Sequence, residues 1–153
     1  MKRICLTAVC AAVLYSCLAL PPQRARDLYL SPAYRKTIGN YRLVLDSVTV
    51  EKGYDSRHLQ ENAAYIFHLL LVRRNLALAD PEATLALRAL IKERELNHDF
   101  KIINTVTVEL TILNPPSTDP VALVLFTENT DHSVESYAYL HSLIRSALRQ
   151  LPR

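Results

Sequence analysis

The order of hydrophobic periods along this 153-residue chain predicts an α+β domain, read as strand, helix, three-stranded meander and final helix. Three observations carry that expectation. A run rich in β-branched residues at 42–51 precedes a stripe of helical spacing at 57–74. A strictly alternating run at 101–113 is followed at short range by a second apolar run at 121–127. Another helical stripe occupies 137–151. The expected arrangement is two helices packed on one face of a mostly antiparallel sheet.

Each element has its own signal. RLVLDSVTVE at 42–51 has strand composition and ends at the turn cluster Lys52-Gly53-Tyr54-Asp55. Ser56 is placed to cap a helix that starts at Arg57. Leu59, Ala63, Ile66, Phe67, Leu70 and Leu71 form its apolar stripe, with Arg57, Gln60, Glu61, Arg73 and Arg74 largely off it. The stretch 83–96 reads two ways. Asp80, Pro81 and Glu82 make a helix start, yet Leu85, Leu87, Ala89 and Ile91 alternate as a strand would, with Leu90 the misfit. From 101 to 113, Ile102, Val106, Val108, Leu110 and Ile112 share one face with Asn104 as the exception, opposite Lys101, Thr105, Thr107, Glu109 and Thr111. The turn 114–120 (NPPSTDP) joins this strand to VALVLFT at 121–127, giving a hairpin. Ser133 is placed to cap the last helix, whose stripe is Tyr137, Leu140, Ile144, Ala147, Leu148 and Leu151, with Glu135, Arg145 and Arg149 off it.

The first residues carry a different pattern. Lys2 and Arg3 form a short positive start, Ile4 to Val13 is apolar and uncharged, and Leu14-Tyr15-Ser16-Cys17 follows. These are the parts of a secretory signal peptide, expected at 1–16 with cleavage between Ser16 and Cys17. Tyr15, Ser16, Pro21, Pro22 and Gln23 interrupt the uncharged run, which disfavours a membrane-spanning helix. Leu14-x-Ser16-Cys17 resembles a bacterial lipobox, departing from it at Tyr15, so Cys17 is the expected lipidation site. The rival is an ordinary cut after Ala19, which leaves a soluble periplasmic domain. Residues 17–40, with Pro21, Pro22 and Pro32, read as a lipid tether holding one short extended piece around Leu28-Tyr29-Leu30, and 41–153 as a single domain.

Composition narrows the function. All three cysteines, Cys5, Cys10 and Cys17, lie in the signal region, so no disulfide and no thiol catalysis is expected in the domain. The formal charge of +3 falls to +1 once Lys2 and Arg3 leave with the signal, since 16 basic then face 15 acidic residues. That balance argues against a nucleic-acid footprint. Glycine occurs only at Gly39 and Gly53, too sparse for a phosphate-cradling loop or dinucleotide turn in its usual form. No Gly-x-Ser-x-Gly elbow and no His-Glu-x-x-His is present. His58 with Glu61, and Glu95 with His98, each offer two metal ligands where a catalytic zinc needs three, and both read as solvated pairs. His68 and His141 fall beside apolar stripes. Asp46 with Glu51 and Glu93 with Glu95 read as solvated strand positions rather than acid–base pairs. No catalytic residue, metal or cofactor is expected.

The order of RLVLDSVTVE, HLQENAAYIFHLLLVRRN, NLALADPEATLALRALI, INTVTVELTIL and ESYAYLHSLIRSALRQL resembles the small α+β lipoproteins of bacterial envelopes. The pattern is similar to the lipopolysaccharide-assembly lipoprotein family LptE, and to CsgG-type and TolB N-terminal domains. Cys17-Leu18-Ala19 departs from the Cys-Gly-Tyr or Cys-Gly-Phe start of many LptE chains. The resemblance implies that 83–93 is a strand, as these families place a turn and strand after the first helix. It further implies a non-catalytic accessory lipoprotein supporting outer-membrane assembly or lipopolysaccharide transport. Its partners would be an outer-membrane barrel or transporter component, the membrane through its N-terminal lipid, and lipopolysaccharide or another lipid. The alternatives are a lipid-transporter auxiliary or periplasmic lipid-binding module, and a small exported enzyme. No Asp follows Cys17, which favours outer-membrane over inner-membrane placement. With 83–95 as a strand, Arg88, Lys92 and Arg94 share a face that Lys101 could join, a patch for an anionic lipid or acidic partner. The competing reading is a solvated face neutralised by Glu93, Glu95 and Glu109.

Overall fold

The computed structural model describes residues 24–30, 41–52, 56–78, 81, 83–98 and 101–151. The described elements are β1 (Arg24–Leu30), β2 (Tyr41–Glu51), α1 (Arg57–Leu76), β3 (Ala83–His98), β4 (Lys101–Leu113), β5 (Pro120–Thr130) and α2 (Tyr137–Leu148). The strands form one five-stranded sheet in the order β1-β5-β4-β3-β2, and the fold is α+β. β3, β4 and β5 are the antiparallel meander, β1 adds antiparallel to β5, and β2 pairs parallel to β3 across the crossover helix α1. The signal residues Ser16, Cys17 and Ala19 lie outside the described residues.

The ambiguous stretch is a strand, and a longer one than 83–93. β3 has a partner on both sides, Leu43↔Leu85 and Val50↔Ile91 toward β2, and Ala89↔Leu110 and Ile91↔Val108 toward β4. Two ladders satisfy far more backbone groups than local helix propensity is worth, which is why strong helix formers such as Ala and Leu stand here in a strand. Leu85, Leu87 and Ile91 are all but inaccessible, whereas the misfit Leu90 points to the opposite, half-covered face.

Register puts the buried strand positions of the core on one face, with Leu113 at the end of β4 the exception. Leu43, Leu87, Leu110 and Val124 are representative, each below 2 % exposed. This face shares one core with Leu59, Ala63, Ile66, Phe67 and Leu71 of α1 and Leu140, Leu143, Ile144, Ala147 and Leu148 of α2. Full burial of a side chain such as Phe67 or Ile144 is worth about 1.5–3 kcal/mol, so the core is the main source of stability. α1 lies against β2, and α2 against α1 and β4. The opposite face carries Thr105, Thr107, Glu109, Thr111 and Thr127, the wet side of a mainly antiparallel sheet. No helix among the described residues is long and apolar enough to cross a membrane.

Three local expectations change. The segment read as tether supplies a full edge strand, Arg24 opposite Glu128 through Leu30 opposite Ala122. Arg26 Nη2 also donates to the carbonyl of Gln150 at 3.2 Å, tying that edge to the end of α2. The N-cap of α2 is Ser136, whose hydroxyl accepts from Tyr139 N at 3.5 Å, rather than Ser133. Ser56 does sit at the N-cap of α1, but its carbonyl, not its side chain, accepts from Gln60 N at 2.9 Å.

Candidate functional site

The basic residues expected on β3 do share the wet face, but they do not converge. Arg88 and Arg94 are six residues apart on an extended strand, a separation of about 20 Å. Arg88 Nε donates to Asp46 Oδ2 at 2.6 Å, and Lys92 Nζ lies 3.5 Å from Glu51 Oε2. Cross-strand carboxylates from β2 therefore neutralise two of them. Arg94 and Lys92 border a 260 Å³ depression with Glu109, Leu90 and Leu125. Lys101 pairs in register with His98 at the far end of the β3–β4 hairpin. The neutralising acids are Asp46 and Glu51. Glu93 falls in phase with Ile91 and faces the helices instead, which corrects its placement on the wet face.

Glu93 is also not solvated. Its side chain is 4 % exposed, and its Oε2 accepts from Val134 N at 3.0 Å and from Ser133 Oγ at 3.3 Å. Lys52 Nζ stands 3.5 Å from the same oxygen, hydrogen-bonds Ser133 Oγ, and pairs with Glu135 at 3.0 Å. This network pins the loop before α2 to the ends of β2 and β3. It uses Ser133 as a bridge, which explains why Ser133 is not the cap. With its Oε2 committed to Val134 N, Ser133 and Lys52, Glu93 acts as a structural carboxylate.

The other candidates stay apart. His58 and Glu61 are exposed near the start of α1, where Glu61 pairs with Arg57 at 3.4 Å. Among the described residues no three His, Cys, Asp or Glu side chains are placed to hold a metal ion. Asn104, the polar exception on the core face of β4, is buried and donates to the His132 carbonyl at 3.0 Å.

A groove of 590 Å³ lies where the C-terminal halves of the two helices meet. Its apolar lining comes from Leu70, Leu78 and Leu148, which form the floor with Tyr41 from the start of β2, and from Ala77; its basic lining is Arg73, Arg74, His141, Arg145 and Arg149. The spacing explains the convergence. His141, Arg145 and Arg149 recur at i, i+4 and i+8, so they line one side of α2, while Arg73 and Arg74 close the last turn of α1. Arginine at helix C-termini also complements the helix dipole. Among the described residues no carboxylate pairs with Arg73, Arg74, Arg145 or Arg149.

Arg74 and Tyr41 form the deep end. The guanidinium carbon is 5.3 Å from the centroid of the buried Tyr41 ring. Burial pushes the Tyr41 phenol above its ordinary value of 10.0, opposed by the charge of Arg74 and its hydrogen bond to the hydroxyl. Arg74 Nε is buried with no hydrogen-bond partner among the described residues. In the sequence these arginines lie on the off-stripe faces of two separate helices. The usable signal was their position, two pairs each in or next to a last helical turn, but only the packing of α1 against α2 makes them neighbours.

No family model matches the chain, and no curated protein does. Among solved structures the chain is similar to a PelC dodecamer from Paraburkholderia phytofirmans, with 17% identity, a TM-score of 0.41 and coverage of 82% of this chain and 95% of that one. A single-residue variant of that dodecamer matches at 16% identity and a TM-score of 0.43 over the same shares. A minor lipoprotein from Acinetobacter baumannii matches at 16% identity and a TM-score of 0.30, covering 71% of this chain and 84% of that one. Likeness this distant assigns no function, which rests on the chain's own residues.

Proposed function

We propose that this chain is a non-catalytic accessory lipoprotein of the bacterial cell envelope, anchored through acyl chains on Cys17 and facing the periplasm from the outer membrane. The observation that carries the reading is the N-terminal pattern: Lys2-Arg3, an uncharged apolar run, then Leu14-x-Ser16-Cys17. Each buried methylene of an acyl chain contributes about 0.8 kcal/mol, so lipid on Cys17 would hold the domain at a membrane without a spanning helix. The polar chemistry of the domain supports a binding role. The buried carboxylate of Glu93 is committed to structure, and Asp46 and Glu51 on the wet face are paired with Arg88 and Lys92. In its finer form the reading is LptE-like: protein–protein contacts with an outer-membrane barrel or transporter component in outer-membrane assembly or lipopolysaccharide transport.

Labelled palmitate tests the anchor. It is expected to enter the native chain and not Cys17→Ala. Cross-linking in membranes, followed by mass spectrometry of what co-purifies, is expected to recover a barrel or transporter component with the native chain. Equal labelling of Cys17→Ala would remove the anchor and leave a soluble periplasmic domain.

A further inference from the structure

We infer that the groove between the C-terminal halves of α1 and α2 is a binding site for a phosphate-bearing ligand whose apolar portion rests on the floor of the groove. The inference does not depend on acylation of Cys17, which would govern where the chain meets such a ligand rather than whether it binds.

Charge is the first reason. Four arginines and His141 border one concavity, and no carboxylate among the described residues neutralises them. Arg88, on the wet face of the sheet, is treated differently, being matched by Asp46 across the strands. The helix dipoles account for basic residues at two helix ends, but each end alone is served by its own last turn. Packing the two ends together adds mutual repulsion that a dianion between them would relieve.

Donor chemistry is the second reason. The guanidinium presents planar, paired N–H groups that match phosphate oxygens, and arginine holds its charge under all conditions of interest. Arg73, Arg145 and Arg149 are exposed on the lining of the groove. Arg74 is held in place by Tyr41 and has a buried Nε donor left over. One preplaced cation and three exposed ones suit a multi-oxygen anion better than a single carboxylate.

Shape is the third reason. A volume of 590 Å³ is much larger than a phosphate ion needs and lies in the range of sites for small organic ligands. Leu70, Leu78 and Leu148 offer the surplus space an apolar surface. A concave site of this size is a poor match for the flat acidic surface of a folded protein, which usually needs about 800 Å² per partner. The two sources of the same chemistry are a phospholipid headgroup with the upper part of its chains, and a free phosphate or small phosphate ester.

Titration calorimetry on the full chain distinguishes them, using dihexanoyl phosphatidic acid below its micelle concentration, inorganic phosphate, and an octaglutamate peptide as probes. Saturable binding of the lipid is expected, with inorganic phosphate competing for it at tenfold or higher concentration. Arg145→Gln with Arg149→Gln, both at exposed positions and so compatible with folding, is expected to weaken lipid binding at least tenfold. Arg57→Gln, at the other end of α1, removes the same kind of charge and is expected to change it less than twofold. Phosphate binding as tightly as the lipid would support the site and assign it to free phosphate esters. Absence of saturable binding by lipid and phosphate would overturn the proposal. So would an equal loss in Arg57→Gln, or binding of octaglutamate in preference to both.

Discussion

Glu93 shows how much a single side chain carries here. It stands one alternation beyond Ile91, on the core face, where a bare carboxylate would be costly. Val134 N, Ser133 and Lys52 make it tolerable. Glu93→Ala would leave the buried Val134 N–H without its acceptor, a loss of about 1–3 kcal/mol that urea denaturation should register as a lower midpoint. Tyr41 makes a different prediction, about pH. Its folded phenol titrates above the ordinary 10.0 because burial disfavours the phenolate. The folded state therefore binds the proton more tightly than the unfolded one. The associated stability is intact below pH 10 and declines as pH rises beyond it. Tyr41→Phe should flatten that alkaline decline, measured as the melting temperature between pH 9 and pH 11. An unchanged slope would count against the burial argument.

Among the elements, the outer strands explain the most. β2 is an edge, and an exposed edge invites pairing with another chain. Asn75, from the last turn of α1, covers part of it: its Nδ2 donates to the Leu43 carbonyl at 2.8 Å and its Oδ1 accepts from Leu43 N at 3.1 Å. One side-chain amide thus mimics a neighbouring strand for one residue. Asn75→Ala should cost about 1–3 kcal/mol in denaturant stability and raise concentration-dependent association seen by light scattering. β3, the strand paired on both sides, should be less forgiving. Leu87 is fully buried where β3 pairs with both neighbours, and Leu87→Ala should lose about 2–5 kcal/mol through lost transfer energy and the cavity left behind. A calorimetric loss below 1 kcal/mol would contradict the packing described.

For the molecule as a whole, the question is what closes the far side of the sheet. β5 would be that edge without Arg24–Leu30, which pairs with it over seven residues and anchors through Arg26 to the end of α2. A chain starting at residue 31 should expose Ala122 to Glu128 as an unpaired strand and elute as larger species in size exclusion, whereas the chain containing β1 should not. In the proposed lipoprotein this arrangement has a mechanical consequence. The sheet edge would begin seven residues after Cys17, nearer the membrane surface than the start of β2 at Tyr41.

The two helices and the strands at 42–51, 101–113 and 121–127 were determined by the sequence alone, because alternation and helical spacing are local: 101–113 can bury Val106, Val108, Leu110 and Ile112 together only as a strand, and the stripe of α1 is legible from Leu59 to Leu71. Long-range partners decided the rest. Ala83–His98 became a strand because β2 and β4 both pair with it, although its composition also suits a helix. Arg24–Leu30 became an edge strand because β5 offered an open ladder, which a Pro-bounded, charge-mixed segment does not announce. Glu93 left the solvent face once strand phase and the Ser133 loop met. The basic groove was the least legible of all. Its arginines are 72 residues apart between Arg73 and Arg145, and only the packing of two helices over one core makes them a single site.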